Sequence, residues 1–359
     1  MSYNGKLVNQ IAFRGNPKRV TSTTGQETTT RAETRLRSWS FWLGLLVSLG
    51  CLAWAARELD WPAVADALRG VDYVWIGLGV LTVLLTIAAR LARWAALLYP
   101  RQARPGSLLT AMLVGQLLNY FAPARAGDLA RAYLLGYTEG ESKVWALGTV
   151  ALEKLWDIWT LLCLVGLLSF STELPGWLMS PARGLALLSL LALIFSWLAL
   201  ANRPKAIAFM AWLGGYLPAK LGARLNVSAE RLLDGLDGLR QPRVWFWAAL
   251  WSAVTWGLGA LTNHTVFMAL GLSLPLSASV MLLVVLQLGV AVPSLPGSVG
   301  ILEGLCIVVL ALFDVDRDAA FAVGLVLHAV VFVPPILLGL YFTWRVKKIE
   351  IERGDRERL

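Results

Sequence analysis

Long apolar runs constrain this chain more than any other feature of its sequence. Most of these runs reach or approach the roughly 17–25 residues that an α-helix needs to cross a lipid bilayer. Only 15% of the residues are charged, against about 25% in an average soluble domain. The sequence therefore predicts an all-α polytopic membrane protein. The apolar runs cover residues 39–56, 73–89, 107–122, 144–170, 182–201, 243–271, 275–292, 297–313 and 319–343.

Basic residues indicate which loops lie in the cytoplasm. The chain has a net charge of +9, and its Lys and Arg residues cluster at the ends of the apolar runs and in polar loops. This positive-inside pattern explains the charge without a nucleic-acid partner. It also assigns Arg90 and Arg93 to a cytoplasmic loop after the run 73–89. If every run crossed the bilayer, however, the basic loop 202–243 would lie outside.

Two re-entrant hairpins remove this conflict. We predict that residues 107–137 enter from the cytoplasm, turn at the sequence APARAG and return, with arms of about 15 and 10 residues that are too short to span. Residues 275–313 form a second hairpin, which enters from the opposite face and turns at PSLPGSVG. The prediction is about six transmembrane helices and two hairpins, with a possible inverted repeat as in transporters that are broken at matching points. Simple crossing by all segments is the alternative topology.

The chain divides into three parts by composition. Residues 1–38 are polar and predict a disordered cytoplasmic leader, residues 39–345 form the integral membrane domain, and residues 346–359 form a charged cytoplasmic tail. Within the membrane domain, the cytoplasmic loop 203–242 contains the amphipathic sequence SAERLLDGLDGLR, in which Ser228 can cap a helix. Either an interfacial amphipathic helix or a helix pair packed on the membrane domain fits this loop.

The turn of the first hairpin carries charges at membrane depth. Each charged side chain there costs about 2.5–3.5 kcal/mol unless it is paired or hydrated. Pro123 ends the first arm, and Gly127 and Asp128 begin the second. A helix N-terminus flanked by Arg125 and Arg131 attracts anions, and a lipid phosphate is the anion at hand. Alternatively, the two arginines pair only with acidic residues of the bundle.

Acidic partners follow in the next apolar run. Glu153 and Asp157 are four residues apart and therefore share one face of a helix. They could form ion pairs with the hairpin arginines, contact a cationic headgroup or relay protons. Asn119 can add a hydrogen bond to the same cavity.

The second hairpin combines helix-breaking residues with a buried acid. Its turn contains two prolines, which prevent a continuous helix, and several glycines, which permit close backbone approach. Glu303 lies on the following arm as a functional candidate, or as an ion-pair partner of Arg125 or Arg131. His264 and His328 are interpreted as hydrogen-bonded packing residues, with proton transfer as the alternative. The turn residues are Pro293, Pro296, Gly297 and Gly300.

Three segments carry a family resemblance. The sequences NYFAPARAGDLARAYLL, ALEKLWDIWTLL and PSLPGSVGILEG closely resemble the transmembrane, flippase-like region of lysylphosphatidylglycerol synthases, over roughly residues 39–345. The resemblance implies movement of a lipid or lipid-linked headgroup between leaflets. Full synthases continue into a soluble aminoacyl-transferase domain, whereas here only KKIEIERGDRERL follows the last run, so a stand-alone member is expected. The family-typical positions are Arg125, Asp128, Arg131, Glu153, Asp157, Pro296, Gly297, Gly300 and Glu303.

The sequence thus predicts a flippase-like lipid transport protein of the bacterial plasma (inner) membrane, with both termini in the cytoplasm. Arg125, Arg131 and Asn119 would bind the lipid phosphate, while Asp128, Glu153, Asp157 and Glu303 would balance charge or meet the headgroup. No metal site, cofactor or ATP-binding P-loop is expected from the sequence. The alternatives are a membrane-embedded transferase that acts on a polyprenyl-phosphate or phospholipid, and a structural partner of a separate lipid-modifying enzyme.

Overall fold

The computed structural model describes residues 46–57, 59–121, 126–171, 174–216, 219–289 and 296–356. These residues form thirteen α-helices and no strand, which confirms the all-α fold class. The predicted leader and the turn residues Pro123, Arg125 and Pro293 lie outside the described residues. The helices are α1 (Leu46–Ala56), α2 (Trp61–Arg69), α3 (Tyr73–Leu97), α4 (Pro105–Phe121), α5 (Ala126–Glu139), α6 (Lys143–Leu168), α7 (Gly176–Ala201), α8 (Arg203–Gly215), α9 (Ala219–Leu236), α10 (Pro242–Ala269), α11 (Leu276–Gly289), α12 (Ile301–Leu310) and α13 (Arg317–Arg356).

Four of the described helices are long and apolar enough to cross a membrane: α3, α7, α10 and residues Arg317–Arg345 of α13. Helix α6 has the required length, at 26 residues, but carries Glu153, Lys154 and Asp157 in its middle. Only part of the first predicted span is described, as α1. The chain is therefore an all-α membrane protein, and the count of six spans stays a prediction.

The first predicted hairpin is formed by α4 and α5, which pack against each other over their length. At the open end, Arg104 donates to the Thr138 carbonyl oxygen at 2.8 Å and to the Glu139 carboxylate at 3.1 Å. Near the turn, Gly127 lies against the Gly115 carbonyl oxygen, where any Cβ atom would overlap it. The arms of 17 and 14 residues are therefore antiparallel, and both open ends lie on one side of the bundle.

The second hairpin pairs α11 with α12, and Gly289 at the end of α11 contacts Leu305. Its turn includes a short 3₁₀ segment over Pro296–Ser298. Gly297 and Gly300 have φ angles of +78° and +84°, a region that glycine adopts at little cost. The Pro296–Ser298 segment contacts α4, so the turn of the second hairpin reaches the first hairpin.

Helix α3 is longer than its predicted run. It continues past residue 89 to Leu97 and is packed along α10, where Thr82 and Thr262 share a hydrogen bond at 2.8 Å. The assignment of Arg93 to a cytoplasmic loop is wrong, because this side chain is fully buried in the helix and is paired there. Arg90 likewise belongs to α3 rather than to a loop.

In the loop 203–242, helices α8 and α9 pack against each other, and the choice between an interfacial helix and a helix pair on the membrane domain stays a prediction. Helix α9 crosses α6 where Gly235 meets Gly148, and a Cβ atom on Gly148 would lie 2.8 Å from the Leu232 carbonyl oxygen. The prediction that Ser228 caps a helix is wrong, because α9 begins nine residues earlier, at Ala219.

Candidate functional site

A buried ion cluster joins α3, α5 and α6, and its member on the first hairpin, Arg131, lies opposite Gly115 of α4. Its centre is the fully buried Glu153 of α6. Arg131 of α5 donates to Glu153 Oε2, and Arg93 of α3 donates to Oε1 at 3.3 Å. Arg90 Nη2 lies 4.0 Å from the same Oε1 atom. We call Arg90, Arg93, Arg131, Glu153 and Asp157 the arginine cluster.

Arg93 connects three helices within this cluster. Its Nη2 atom lies 2.8 Å from Asp157 Oδ1, and its Nη1 atom donates to Ser252 Oγ of α10 at 3.1 Å. Glu153 and Asp157, which are four residues apart on α6, therefore both contact the same guanidinium, that of Arg93. This guanidinium comes from α3 and not from the hairpin, whose Arg131 contacts only Glu153 of the two acids.

Arg131 is enclosed by aromatic and glycine contacts. Its guanidinium carbon lies 3.7 Å from the centre of the Trp94 ring, a cation–π contact. Trp94 is held in turn by a hydrogen bond of 3.1 Å from Nε1 to Thr149 Oγ1. A Cβ atom on Gly115 would lie 2.8 Å from the Arg131 Cβ atom, so glycine is needed opposite this arginine.

Partly exposed charges surround the buried pairs. The Arg90 side chain is 26% exposed, and its Nη1 atom lies 3.5 Å from Gln116 Oε1. The Lys154 side chain is 34% exposed and lies 3.5 Å from Asp128 Oδ2. Asn119 Nδ2 donates to Asp128 Oδ1 at 3.2 Å. We call Arg90, Lys154, Asn119 and Asp128 the outer shell.

The cluster and its outer shell carry one excess positive charge when all groups are ionised. Four cations face three carboxylates, which leaves +1 within the described residues. Three of its buried polar atoms have no hydrogen-bond partner among the described residues, and buried polar atoms of this kind need water or a ligand. They are Arg93 Nε, Arg131 Nε and Asn119 Oδ1. The excess positive charge allows the arrangement to receive an anion on the side where Arg90 and Lys154 are partly exposed.

Glu303 of the second hairpin lies in a separate pair. Its Oε1 atom is 2.9 Å from His328 Nδ1 of α13, and its Oε2 atom accepts from the Gly300 backbone N–H at 2.7 Å. The predicted alternative in which Glu303 pairs with Arg131 is wrong, because α12 packs against α13 while Arg131 turns toward α6. His264 instead lies 3.3 Å from Ser279 Oγ.

Aromatic rings connect the two sites. The His328 ring lies 4.5 Å from the Phe332 ring, which lies 4.7 Å from the Tyr120 ring of α4. Gln116 Nε2 donates to the Tyr120 hydroxyl at 2.6 Å and Gln116 Oε1 faces Arg90. Helix α4 thus reaches the Glu303–His328 pair through Phe332 on one side and contacts Arg90 of the arginine cluster on the other.

The structure thus brings together five of the sequence-predicted site residues and adds others. The added residues are Arg90, Arg93, Trp94, Lys154 and Ser252. The sequence does indicate that Arg93 lies within a helix, because the apolar pattern continues after it from Trp94 to Leu98. No group of three His, Cys, Asp or Glu side chains that could hold a metal ion occurs in the described part of the chain. The five predicted residues that meet are Asn119, Asp128, Arg131, Glu153 and Asp157.

Comparisons with known proteins match nearly the whole membrane domain. Residues 41–339 match the family described as lysylphosphatidylglycerol synthase TM region. A UPF0104 membrane protein of Methanocaldococcus jannaschii is 24% identical over 67% of this chain and 99% of its own length. Two UPF0104 membrane proteins of Methanothermobacter thermautotrophicus are 22% and 23% identical, over 80% and 77% of this chain and 90% and 85% of theirs. No solved structure matches the chain.

Proposed function

The chain belongs to the lysylphosphatidylglycerol synthase TM region family of membrane proteins, and from this premise we propose that it moves a phospholipid or lipid-linked headgroup between the leaflets. The observation that carries the proposal is the arginine cluster with its outer shell, which combines an excess positive charge with a partly exposed side. Charged groups inside a membrane protein pair with one another or mark the path of a substrate. Here the buried members are paired and the outer members remain partly exposed.

A phosphate group crosses hydrocarbon only if fixed cations and dipoles replace its water. Guanidinium and ammonium groups form charge-assisted hydrogen bonds with phosphate oxygens. We place Arg90, Lys154 and Asn119 in contact with the phosphate, together with Arg125 of the hairpin turn. The sequence analysis predicts that Arg131 binds the phosphate, whereas in the structure its guanidinium is buried against Glu153 and Trp94. We therefore give Arg131 a supporting role. It would hold Glu153 in place behind the phosphate.

The proposal also includes which membrane holds the protein and how the protein is oriented in it. We place the protein in the plasma membrane with both termini in the cytoplasm, because this orientation puts the basic helix pair α8–α9 on the cytoplasmic side. The first hairpin then opens toward the cytoplasm and the second toward the exterior. Their contact at Pro296–Ser298 and α4 supports a single site that is reached from both leaflets.

Reconstituted vesicles test the proposal directly. The rate at which fluorescent phosphatidylglycerol leaves the inner leaflet is measured by quenching with dithionite. We expect Arg90→Ala and Lys154→Ala to slow this movement roughly ten- to a hundredfold, because a hydrogen bond to a charged group contributes about 1.5–3 kcal/mol. The control Arg69→Ala changes a surface residue of α2 that is 80% exposed and should match the wild type. Wild-type protein that moves lipid no faster than empty vesicles contradicts the proposal.

A further inference from the structure

Glu303 is a buried acid whose ionic partner in the described residues is itself titratable. The residue is 2% exposed, and His328 is its salt-bridge partner there. The Gly300 N–H satisfies Oε2, and α13 approaches closely because Gly324 faces the Glu303 backbone, where a Cβ atom would lie 2.9 Å from Cα. The His328 side chain remains 19% exposed. The acid is therefore enclosed, while the histidine is partly exposed at the protein surface.

No arginine or lysine among the described residues forms a salt bridge with this pair. The titratable thiol of Cys306 lies on α12 itself and is buried, and Cys51 lies on α1, which contacts Gly300. On α4, Tyr120 reaches the pair only through Phe332. Four further charged or titratable groups on the neighbouring helices have other contacts. Asp66 pairs with Arg69, Arg317 contacts Trp54, Asp318 accepts from Asp60, and His264 contacts Ser279.

We infer that the Glu303–His328 pair is a proton-binding site that couples lipid movement to proton movement; this inference rests on the proposed function. One proton lies between His328 Nδ1 and Glu303 Oε1. With that proton alone, the pair consists of a carboxylate and a neutral imidazole and has a net charge of −1. A second proton on His328 Nε2 makes the pair neutral. The N–H bond forms as an O–H bond of a hydronium ion breaks and leaves water, and the reverse step returns the proton to water.

The neutral and the negatively charged states of the pair are favoured in different environments. A net charge buried in hydrocarbon without a counter-ion is costly, so the neutral pair is favoured when the second hairpin is enclosed. The charged pair is favoured when water reaches His328. His328 Nε2 is directed toward Gly297 in the hairpin turn, since a Cβ atom on that glycine would lie 3.7 Å from it. Proton uptake therefore changes the charge next to the segment that contacts α4.

The path from this pair to the phosphate site is continuous. Phe332, Tyr120 and Gln116 connect His328 to Arg90 through ring contacts and hydrogen bonds. A shift of the turn can thus reposition Arg90 relative to Glu153, its neighbour in the arginine cluster. Proton binding at His328 and phosphate binding near Arg90 would both change the contact between the Pro296–Ser298 segment and α4.

Histidine NMR tests proton binding without any transport assay. The chain has two histidines, so ¹⁵N-histidine labelling gives signals from two imidazole rings with two nitrogens each, and His264→Asn identifies those of His328. Histidine ordinarily changes charge between about pH 5 and 8. We expect the His328 signal to titrate in wild-type protein and in His264→Asn, and its pH response to change in Glu303→Gln. A His328 signal that is constant over pH 5–9 in wild-type protein overturns the inference.

Vesicle measurements test the coupling. Phosphatidylglycerol movement and acidification of trapped pyranine are followed at several external pH values. We expect a rate that changes by up to about tenfold per pH unit, the limit for one bound proton, with proton entry alongside. Glu303→Gln and His328→Gln should lose both the pH response and the proton entry, whereas His264→Asn should keep both. Wild-type lipid movement that is independent of pH, without proton entry, overturns the inference and leaves the proposed function intact. Absence of lipid movement at every pH overturns the proposed function instead.

Discussion

Glu153 shows how this chain accommodates buried charge at the level of single residues. Its two oxygens face different cations, Arg131 on one side and Arg93 on the other, so neither guanidinium is left without an acid. Asp157 completes the pairing of Arg93. Because the ions are removed from water, each depends on the geometry of its partners, and the loss of one carboxylate affects two helices at once.

Replacement of Glu153 tests this dependence. Glu153→Gln keeps the shape of the side chain but leaves Arg131 without its acid. We expect the free energy of unfolding to fall by about 3–5 kcal/mol, the usual effect of breaking a buried ion pair. Unfolding in mixed micelles with increasing SDS measures the change. Asp66→Asn is the matched control, because it removes an acid from a surface pair of 72% and 80% exposure and should change stability by less than about 1 kcal/mol. Equal effects of the two substitutions would contradict the structural role of Glu153.

The sequence predicts one half of this cluster and misses the other. Helical spacing places Glu153 and Asp157 on one face, because four residues make about one turn. Their partner Arg93 is 60 residues away from Glu153, and no local pattern relates the two positions. Composition alone assigns Arg90 and Arg93 to a loop, since isolated charges are costly in hydrocarbon. The burial of Arg93 depends on acids and a serine from α6 and α10, which only the packed structure supplies.

At the level of helices, glycine determines where pairs approach closely. The hairpin arms meet at Gly115 and Gly127, and α6 meets α9 at Gly148 and Gly235. Small residues permit such contacts between membrane helices, where backbone packing and not hydrophobic association holds the helices together. The sequence predicts the hairpin breaks, because Pro and Gly mark them. It does not predict the α6–α9 contact, because a glycine within a helix does not identify its partner.

A pair of glycine substitutions in α6 tests this packing. In Gly148→Ala the new methyl group would lie 2.8 Å from the Leu232 carbonyl oxygen, so α9 must shift. We expect a loss of about 1–3 kcal/mol, as for other overpacked sites, and faster proteolysis of the α8–α9 pair. Gly166→Ala lies in the same helix with nothing within 4 Å and should leave stability equal or slightly raised. Limited trypsin digestion and SDS unfolding measure both variants. A destabilising Gly166→Ala with a neutral Gly148→Ala would contradict the crossing.

At the level of the whole molecule, the contact between the two hairpins brings the arginine cluster and the Glu303–His328 pair to opposite sides of one helix. The turn of one contacts a helix of the other, and α4 lies between the arginine cluster and the Glu303–His328 pair. The inverted repeat that the sequence suggests stays a prediction, as does the depth of each hairpin. The positions of the loops relative to the membrane likewise stay a prediction, made from the charges because basic segments usually remain in the cytoplasm.

Accessibility of single cysteines tests this topology. In a background without the three native cysteines, a membrane-impermeant thiol reagent is added to sealed vesicles of known orientation. We expect Glu230→Cys, Gln102→Cys and Thr138→Cys to be labelled from the cytoplasmic side, because α9 belongs to the basic helix pair and Arg104 holds the open ends of the first hairpin together. Asp316→Cys, in the acidic loop before α13, should be labelled only from the opposite side. Labelling of Gln102→Cys and Thr138→Cys from different sides would contradict the hairpin. Labelling of Asp316→Cys and Glu230→Cys from one side would contradict the opposed entry of the two hairpins, and with it a site that opens to both leaflets.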